Sequence, residues 1–122
     1  MRFTQDSTSG INLIRSYAPG ELRVNEETYR DTVILDASTV LTEPHARNVD
    51  EIGGIEAARI LSLQPELVLL GTGARQVFPA PAFGAQFLRQ GIGFEVMDTG
   101  AACRTFNVLV GEQRRVVALL FL

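Results

Sequence analysis

One cysteine, Cys103, and one histidine, His45, are the only side chains of their kinds, and they stand far apart in the sequence. A nucleophilic thiolate needs a base or a cation beside it, and the neighbour of Cys103 is Arg104. Adjacent residues on a helix diverge, whereas Cys103 and Asn107 share a face, and an asparagine cannot act as a base. Cys103 is therefore expected to be a buried structural residue, and His45 an exposed loop residue. The carboxylate pairs Glu26-Glu27 and Asp50-Glu51 are explained by solvation and by helix-dipole complementarity, not by acid-base work. No catalytic set is complete. One histidine and one cysteine without ligand spacing give no metal site, and nothing calls for a cofactor.

The chemistry that remains is ligand binding at strand ends. In open α/β sheets ligands gather beyond the carboxyl ends of parallel strands, and two such ends are readable, Gly71-Thr72-Gly73 and Asp98-Thr99-Gly100. They are expected to face one crevice, where Thr99 and Arg104 could donate to an anion or a carbonyl oxygen. The plainer alternative, that the glycines only make tight turns, stays open. Two features argue against a dinucleotide fingerprint: Gln76 occupies the third glycine position, and Pro79 and Pro81 delay the helix beyond reach of a pyrophosphate. No Gly-Lys-Ser/Thr follows, so there is no phosphate-binding P-loop either.

The elements that must position these loops follow from periodicity. Ile11, Leu13, Tyr17, the Pro19-Gly20 turn, Leu22 and Val24 read as an antiparallel meander, with a reversal at Asn25-Glu26-Glu27 before Tyr29. Strand character continues through Thr32-Val33-Ile34-Leu35 to Val40 and Leu41, and Glu43-Pro44-His45 ends it. Ile52, Ile55, Ala58 and Leu61 recur at helical spacing, with Glu56 and Arg59 assigned to water. Leu67-Val68-Leu69-Leu70 reads as a strand buried on both faces. A second helix from Pro81 places Phe83, Phe87 and Leu88 inward and stops at Gly91; a strand follows from Phe94 to Met97. A third helix from about Thr99 to Val110 is capped by Asp98 or Thr99, and Val116 to Leu122 forms the last strand. The alternation implies parallel strand-helix-strand units in the C-terminal two-thirds, with the N-terminal antiparallel meander as a second sheet or an edge. The fold class is α/β, with a mixed sheet.

Composition bounds the rest. The 122 residues, 46% hydrophobic and 20% charged, suit one domain spanning 1–122. A net charge of −3 supplies no positive field for a phosphate backbone, which argues against nucleic acid; the Arg114-Arg115 pair reads as a solvated edge. A single cysteine suits a reducing compartment, and Met1 to Asp6 lack the apolar run of a signal peptide, so a cytoplasmic location is expected. The run from Val116 to Leu122 is too short to span a bilayer as a helix.

Three segments together carry a resemblance. Pro65-Glu66-Leu67-Val68-Leu69-Leu70-Gly71-Thr72-Gly73, Gly93-Phe94-Glu95-Val96-Met97-Asp98-Thr99 and Ala102-Cys103-Arg104-Thr105-Phe106-Asn107-Val108-Leu109, followed by Glu112, resemble the small α/β domain family that includes mitochondrial complex I assembly factor 3, adipogenesis-associated proteins and uncharacterised bacterial members. The resemblance implies a β/β/α layered domain with a mixed sheet. Gly71, Thr72, Gly73, Thr99, Arg104, Thr105 and Asn107 match the family pattern and form the candidate ligand-binding set. The mitochondrial relative implies action through protein contacts, while the bacterial members imply no assigned activity. Two functions are therefore expected to compete: a non-enzymatic binding or assembly protein with a protein partner, and a small-molecule or anion-binding protein, or an unrecognised enzyme, with its crevice at the carboxyl ends of the parallel strands. A deep pocket holding Thr72, Thr99 and Arg104 would favour the second, and a flat apolar patch around the N-terminal sheet the first.

Overall fold

A computed structural model describes residues 10–43 and 45–122; Met1 to Asp6 and Pro44, used above, lie outside the described residues. Among the described residues eight strands and three α-helices follow in order, with a short 3-10 helix at Val49–Glu51 before the first α-helix. β1 (Ile14–Ala18), β2 (Glu21–Val24) and β3 (Glu27–Tyr29) form an antiparallel three-stranded sheet. Asn25, in the left-handed region at φ 51°, makes the second reversal, where asparagine is tolerated better than most residues.

The remaining strands are β4 (Val33–Leu35), β5 (Val40–Leu41), β6 (Leu67–Thr72), β7 (Gly93–Met97) and β8 (Val116–Phe121). They form one sheet in the order β5-β4-β8-β6-β7. β6 runs parallel to both β7 and β8, with Leu70 beside Val96 and Leu119, as helical crossovers require. β4 is antiparallel to β8, pairing Val33 with Leu120. The expected meander thus divides: its first three strands make a separate sheet, and β4 with β5 extends the mixed one.

Period-two alternation builds two cores from the same strands. Leu69, Val116, Ala118 and Leu120 face one way, against Leu22 and Val24 of the small sheet and Phe106 of α3 (Thr99–Gly111). Val68, Leu70, Val117 and Leu119 face the other way, against Ile60 of α1 (Gly54–Ser62) and Phe83 and Phe87 of α2 (Pro81–Leu88). β6 and β8, buried on both faces, therefore read as continuous apolar runs.

Two helix faces differ from expectation. In α1 the inward residues are Glu56, Ala57 and Ile60, while Ile55 is 63% exposed. Glu56 is buried because its carboxylate accepts from the amides of Gly53 at 2.8 Å and Ala46 at 2.8 Å, tying the helix start to the preceding loop. In α2, Leu88 is exposed and Gly84 takes the inner position instead, pressed against the ring of Phe94.

Candidate functional site

α2 covers one face of the sheet and α3 the other, so the connections leaving the neighbouring strands β6 and β7 diverge to opposite sides. This is the arrangement that opens a ligand crevice in doubly wound sheets. Here the opening is stitched shut by side chains. The Thr72 hydroxyl donates to the carbonyl of Arg75 at 2.6 Å, lies 3.3 Å from that of Met97, and accepts from the Val77 amide at 3.0 Å. The Thr99 hydroxyl, fully buried, donates to the Phe121 carbonyl at 2.6 Å and accepts from the Gly73 amide at 2.7 Å. The Thr99 amide in turn donates to the Gly73 carbonyl.

The two glycines have distinct structural causes. A Cβ on Gly71 would stand 2.9 Å from a Leu120 methyl and 3.0 Å from the Thr99 hydroxyl, so α3 can pack this closely only on a bare backbone. Gly73 lies at φ +98°, a conformation that lets the chain turn out of β6. The helix N-terminus is likewise engaged, because the Asp98 carboxylate accepts from the Ala101 amide at 2.9 Å. A bound anion there would meet a negative charge.

Beside this seam lies an open crevice of about 300 Å³, bounded by Arg47, Asn48, Thr72, Gly73, Val77 and Phe121. Sequence reasoning did not reach Arg47 and Asn48, whose loop is distant from both strand ends in the chain.

Arg104 and Asn107 line a different place, a cleft of about 170 Å³ between α3 and β1 shared with Arg15, Ser16, Tyr17 and Cys103. Asn107 uses both ends of its amide on one residue: it accepts from the Ile14 amide at 2.9 Å and donates to the Ile14 carbonyl at 2.9 Å. It thereby acts as a surrogate strand partner for β1. The Thr105 hydroxyl points to the Met97 sulfur at 3.6 Å. Arg104 is exposed and folds back along α3, its Nη1 3.6 Å from where a Cβ on Gly100 would stand. Six of the seven candidate residues thus gather in two places, with Gly71, Thr72, Gly73 and Thr99 in the seam and Arg104 and Asn107 at the cleft, while Thr105 belongs to neither.

Cys103 is buried, and burial pushes its thiol up to about 11, against the pull of Arg104 and with some help from Asp98. Such a thiol is unreactive at neutral pH. Burial also raises the nearby Tyr17 phenol, with Cys103 and Asp98 acting in the same sense. The Tyr17 hydroxyl is buried without a hydrogen-bond partner among the described residues; the Thr99 hydroxyl lowers the phenol's value without meeting hydrogen-bond geometry. His45 is not the exposed loop residue expected. It is half-buried, with Nδ1 2.8 Å from the Arg59 guanidinium and Nε2 3.0 Å from the Leu41 carbonyl. An arginine can only donate, so Nδ1 accepts and Nε2 carries the proton.

A third feature is apolar. Phe78, Pro81, Ala85, Leu88, Phe94 and Val96 border a groove of about 450 Å³ between α2 and β7. Phe78 is 71% exposed and Leu88 61%. This groove lies beside the edge strand β7 of the mixed sheet, not around the N-terminal sheet, where an apolar patch would have favoured the protein-contact reading.

These features define an α/β domain in which a three-stranded sheet and a helix cover one face of a mixed five-stranded sheet and two helices the other. The chain belongs to the family described as "Protein of unknown function (DUF498/DUF598)", which it matches over residues 14–121. It is 31% identical to the "13 kDa major membrane protein" of Francisella tularensis subsp. holarctica, over 98% of each chain. It is 29% identical to NADH dehydrogenase (ubiquinone) 1 alpha subcomplex assembly factor 3 of Danio rerio, over 95% of this chain and 67% of that one. The crystal structure of a protein from Bordetella parapertussis superposes with a TM-score of 0.84 at 32% identity, covering 92% of this chain and 96% of the other. The chain is therefore related to complex I assembly factor 3, as its three sequence segments implied. Among the described residues no helix is long and apolar enough to cross a membrane.

Proposed function

We propose that this chain is a non-enzymatic binding or assembly protein that works through contact with a protein partner. One observation carries the reading: the hydroxyls of Thr72 and Thr99 and the amide of Gly73, the groups best placed to hold a ligand at the strand ends, spend their hydrogen bonds inside the fold. Recruiting them to a ligand would leave buried carbonyls and amides unpaired, at about 1 to 3 kcal/mol each. The name of the Danio rerio relative, an assembly factor, supports the same reading. Affinity capture of the tagged chain from native cells, analysed for both proteins and small molecules, tests it. A stoichiometric protein partner is expected, and a co-purifying metabolite with no protein would reverse the conclusion.

The competing reading, a small anionic ligand, draws on the β1/α3 cleft, where Arg15 and Arg104 are both exposed. Its volume of about 170 Å³ falls short of the roughly 300 Å³ at which ligand pockets usually begin; the strand-end crevice beside Arg47 reaches that size, but its Thr72 hydroxyl is already engaged within the fold. Chemical-shift mapping with phosphate, nucleotides and carboxylates decides the matter, perturbation of Thr99, Gly100 and Arg104 by millimolar ligand being the result that favours this reading. The cytoplasmic location expected from the sequence also stands as a proposal. Cell fractionation tests it against the Francisella relative's membrane name.

A further inference from the structure

We infer that the groove between α2 and β7 docks a peptide segment of a protein partner, apolar at its centre and acidic at its flanks. The inference rests on the protein-contact reading above and specifies its surface and its partner's chemistry. The charge pattern begins in the sequence. Between Glu66 and Glu95 there is no aspartate or glutamate, although the whole chain carries 14 acidic residues and a net charge of −3. The same stretch carries Arg75 and Arg89, which supply a local positive rim.

The fold sets this stretch around the groove. Arg75 lies in the loop that leads to Phe78, and Arg89 directly follows Leu88 at the end of α2. Gln76, next to Arg75, reaches the Val96 carbonyl towards the end of β7, whereas Arg89 closes α2 four residues before β7 begins at Gly93, so the two arginines lie towards opposite ends of the apolar strip. Both arginines are exposed, and neither side chain has a partner among the described residues. The residues bordering the groove itself are all uncharged. A partner that buries Phe78 and Leu88 must therefore bring apolar anchors, and negative charge at its flanks meets the two arginines.

The edge of the sheet specifies how the segment lies. β7 is an edge strand whose Phe94 and Val96 face the groove. The Gln76 side-chain amide donates to the Val96 carbonyl at 2.9 Å, covering that edge position. A continued strand ladder at that position would have to displace Gln76, so side-chain contacts in the groove are the main hold on the docked segment. A second copy of this chain is the wrong occupant, since a two-fold contact across this groove would set arginine against arginine.

Phage-displayed random peptides, panned on the folded chain and counter-selected on Leu88→Asp, test the proposal. Leu88 is exposed, so that variant keeps its fold, which an unchanged amide spectrum outside α2 and β7 verifies. Enriched peptides are expected to carry apolar residues between acidic ones and to shift the amides of Phe78, Ala85, Leu88 and Val96. They should lose about tenfold in affinity in the double variant Arg75→Glu, Arg89→Glu, with a steeper decline in salt for the unchanged chain. An absence of groove-dependent binders, enrichment of basic or uncharged peptides, or self-association of the chain abolished by Leu88→Asp overturns it. Repeating the native capture with Leu88→Asp separates the two claims: a partner retained by the variant sinks the groove assignment and leaves the protein-contact reading standing, whereas no protein partner for either chain sinks that reading.

Discussion

The seam between β6 and β7 and the groove between α2 and β7 lie on neighbouring parts of the same sheet and use their residues in opposite ways. In the seam, polar groups that could bind something are consumed: Thr72 and Thr99 together engage five backbone groups, those of Arg75, Met97, Val77, Phe121 and Gly73. In the groove, apolar side chains that could stabilise a core are left exposed. Residue type is thus a poor guide to role until its partners are counted. A hydroxyl with every bond made inside the fold is architecture, and a leucine facing water is available for binding.

That contrast can be broken by substitution, and the largest effect is expected in the seam. Thr99→Val keeps the shape but strands the Phe121 carbonyl and the Gly73 amide, and should cost about 2 to 4 kcal/mol in a urea melt. A neutral result would mean that the seam is not a structural tie. Gly84→Ala comes next. A helix-propensity gain of about 1 kcal/mol is opposed by a Cβ only 2.5 Å from the Phe94 ring, which is itself stacked on Phe87, so a net loss of about 1 to 2 kcal/mol is expected. Asn107→Ala should cost about 1 to 2 kcal/mol by freeing β1 from α3, with faster hydrogen exchange at Ile14 as its signature.

Two smaller effects sharpen the comparison. Cys103 and Tyr17 both titrate higher in the folded chain than in the unfolded one, so the unfolded state releases its protons first as pH rises. Stability from Cys103 is complete below about pH 9 and declines towards pH 11, Tyr17 adds a decline that starts near its ordinary value of 10.0, and thiol labelling at pH 7 should be slow in the native state. Melts across that range, with Cys103→Ala as the control, measure it. Leu88→Ser in the groove should change stability by no more than about 0.5 kcal/mol. A larger loss would show that the groove belongs to the core after all.

Much of this was legible in the sequence. Leu67 to Leu70 and Val116 to Leu122 are apolar without interruption and too short for a typical helix, as a strand covered on both faces would be, and the helical segments between them implied the parallel order. The meeting of Gly73 with Thr99 followed from the rule for strand ends. The engagement of Thr99 with Phe121 and of Asn107 with Ile14 did not, because those partners lie at sequence distances that no local pattern encodes. The inner face of α1 was misjudged for a related reason. Spacing favoured Ile55, but Glu56 is drawn inward by the amides of Ala46 and Gly53. Leu88 illustrates the converse: an apolar residue at the end of a helix satisfies the pattern whether it faces a core or an empty groove.

The position of β8 has a consequence in time. It is the last strand along the chain and yet the middle one of the sheet, pairing Val33 with Leu120 on one side and Leu67 with Val116 on the other. During synthesis β4, β6 and β7 emerge first and cannot be joined into one sheet, so β4 and β6 keep open edges until β8 leaves the ribosome. Sheet closure is therefore a late, non-local event, slow by topology and exposed to misassembly while it waits. A chain interrupted before residue 116 should persist as a chaperone-bound species and not as a smaller folded domain.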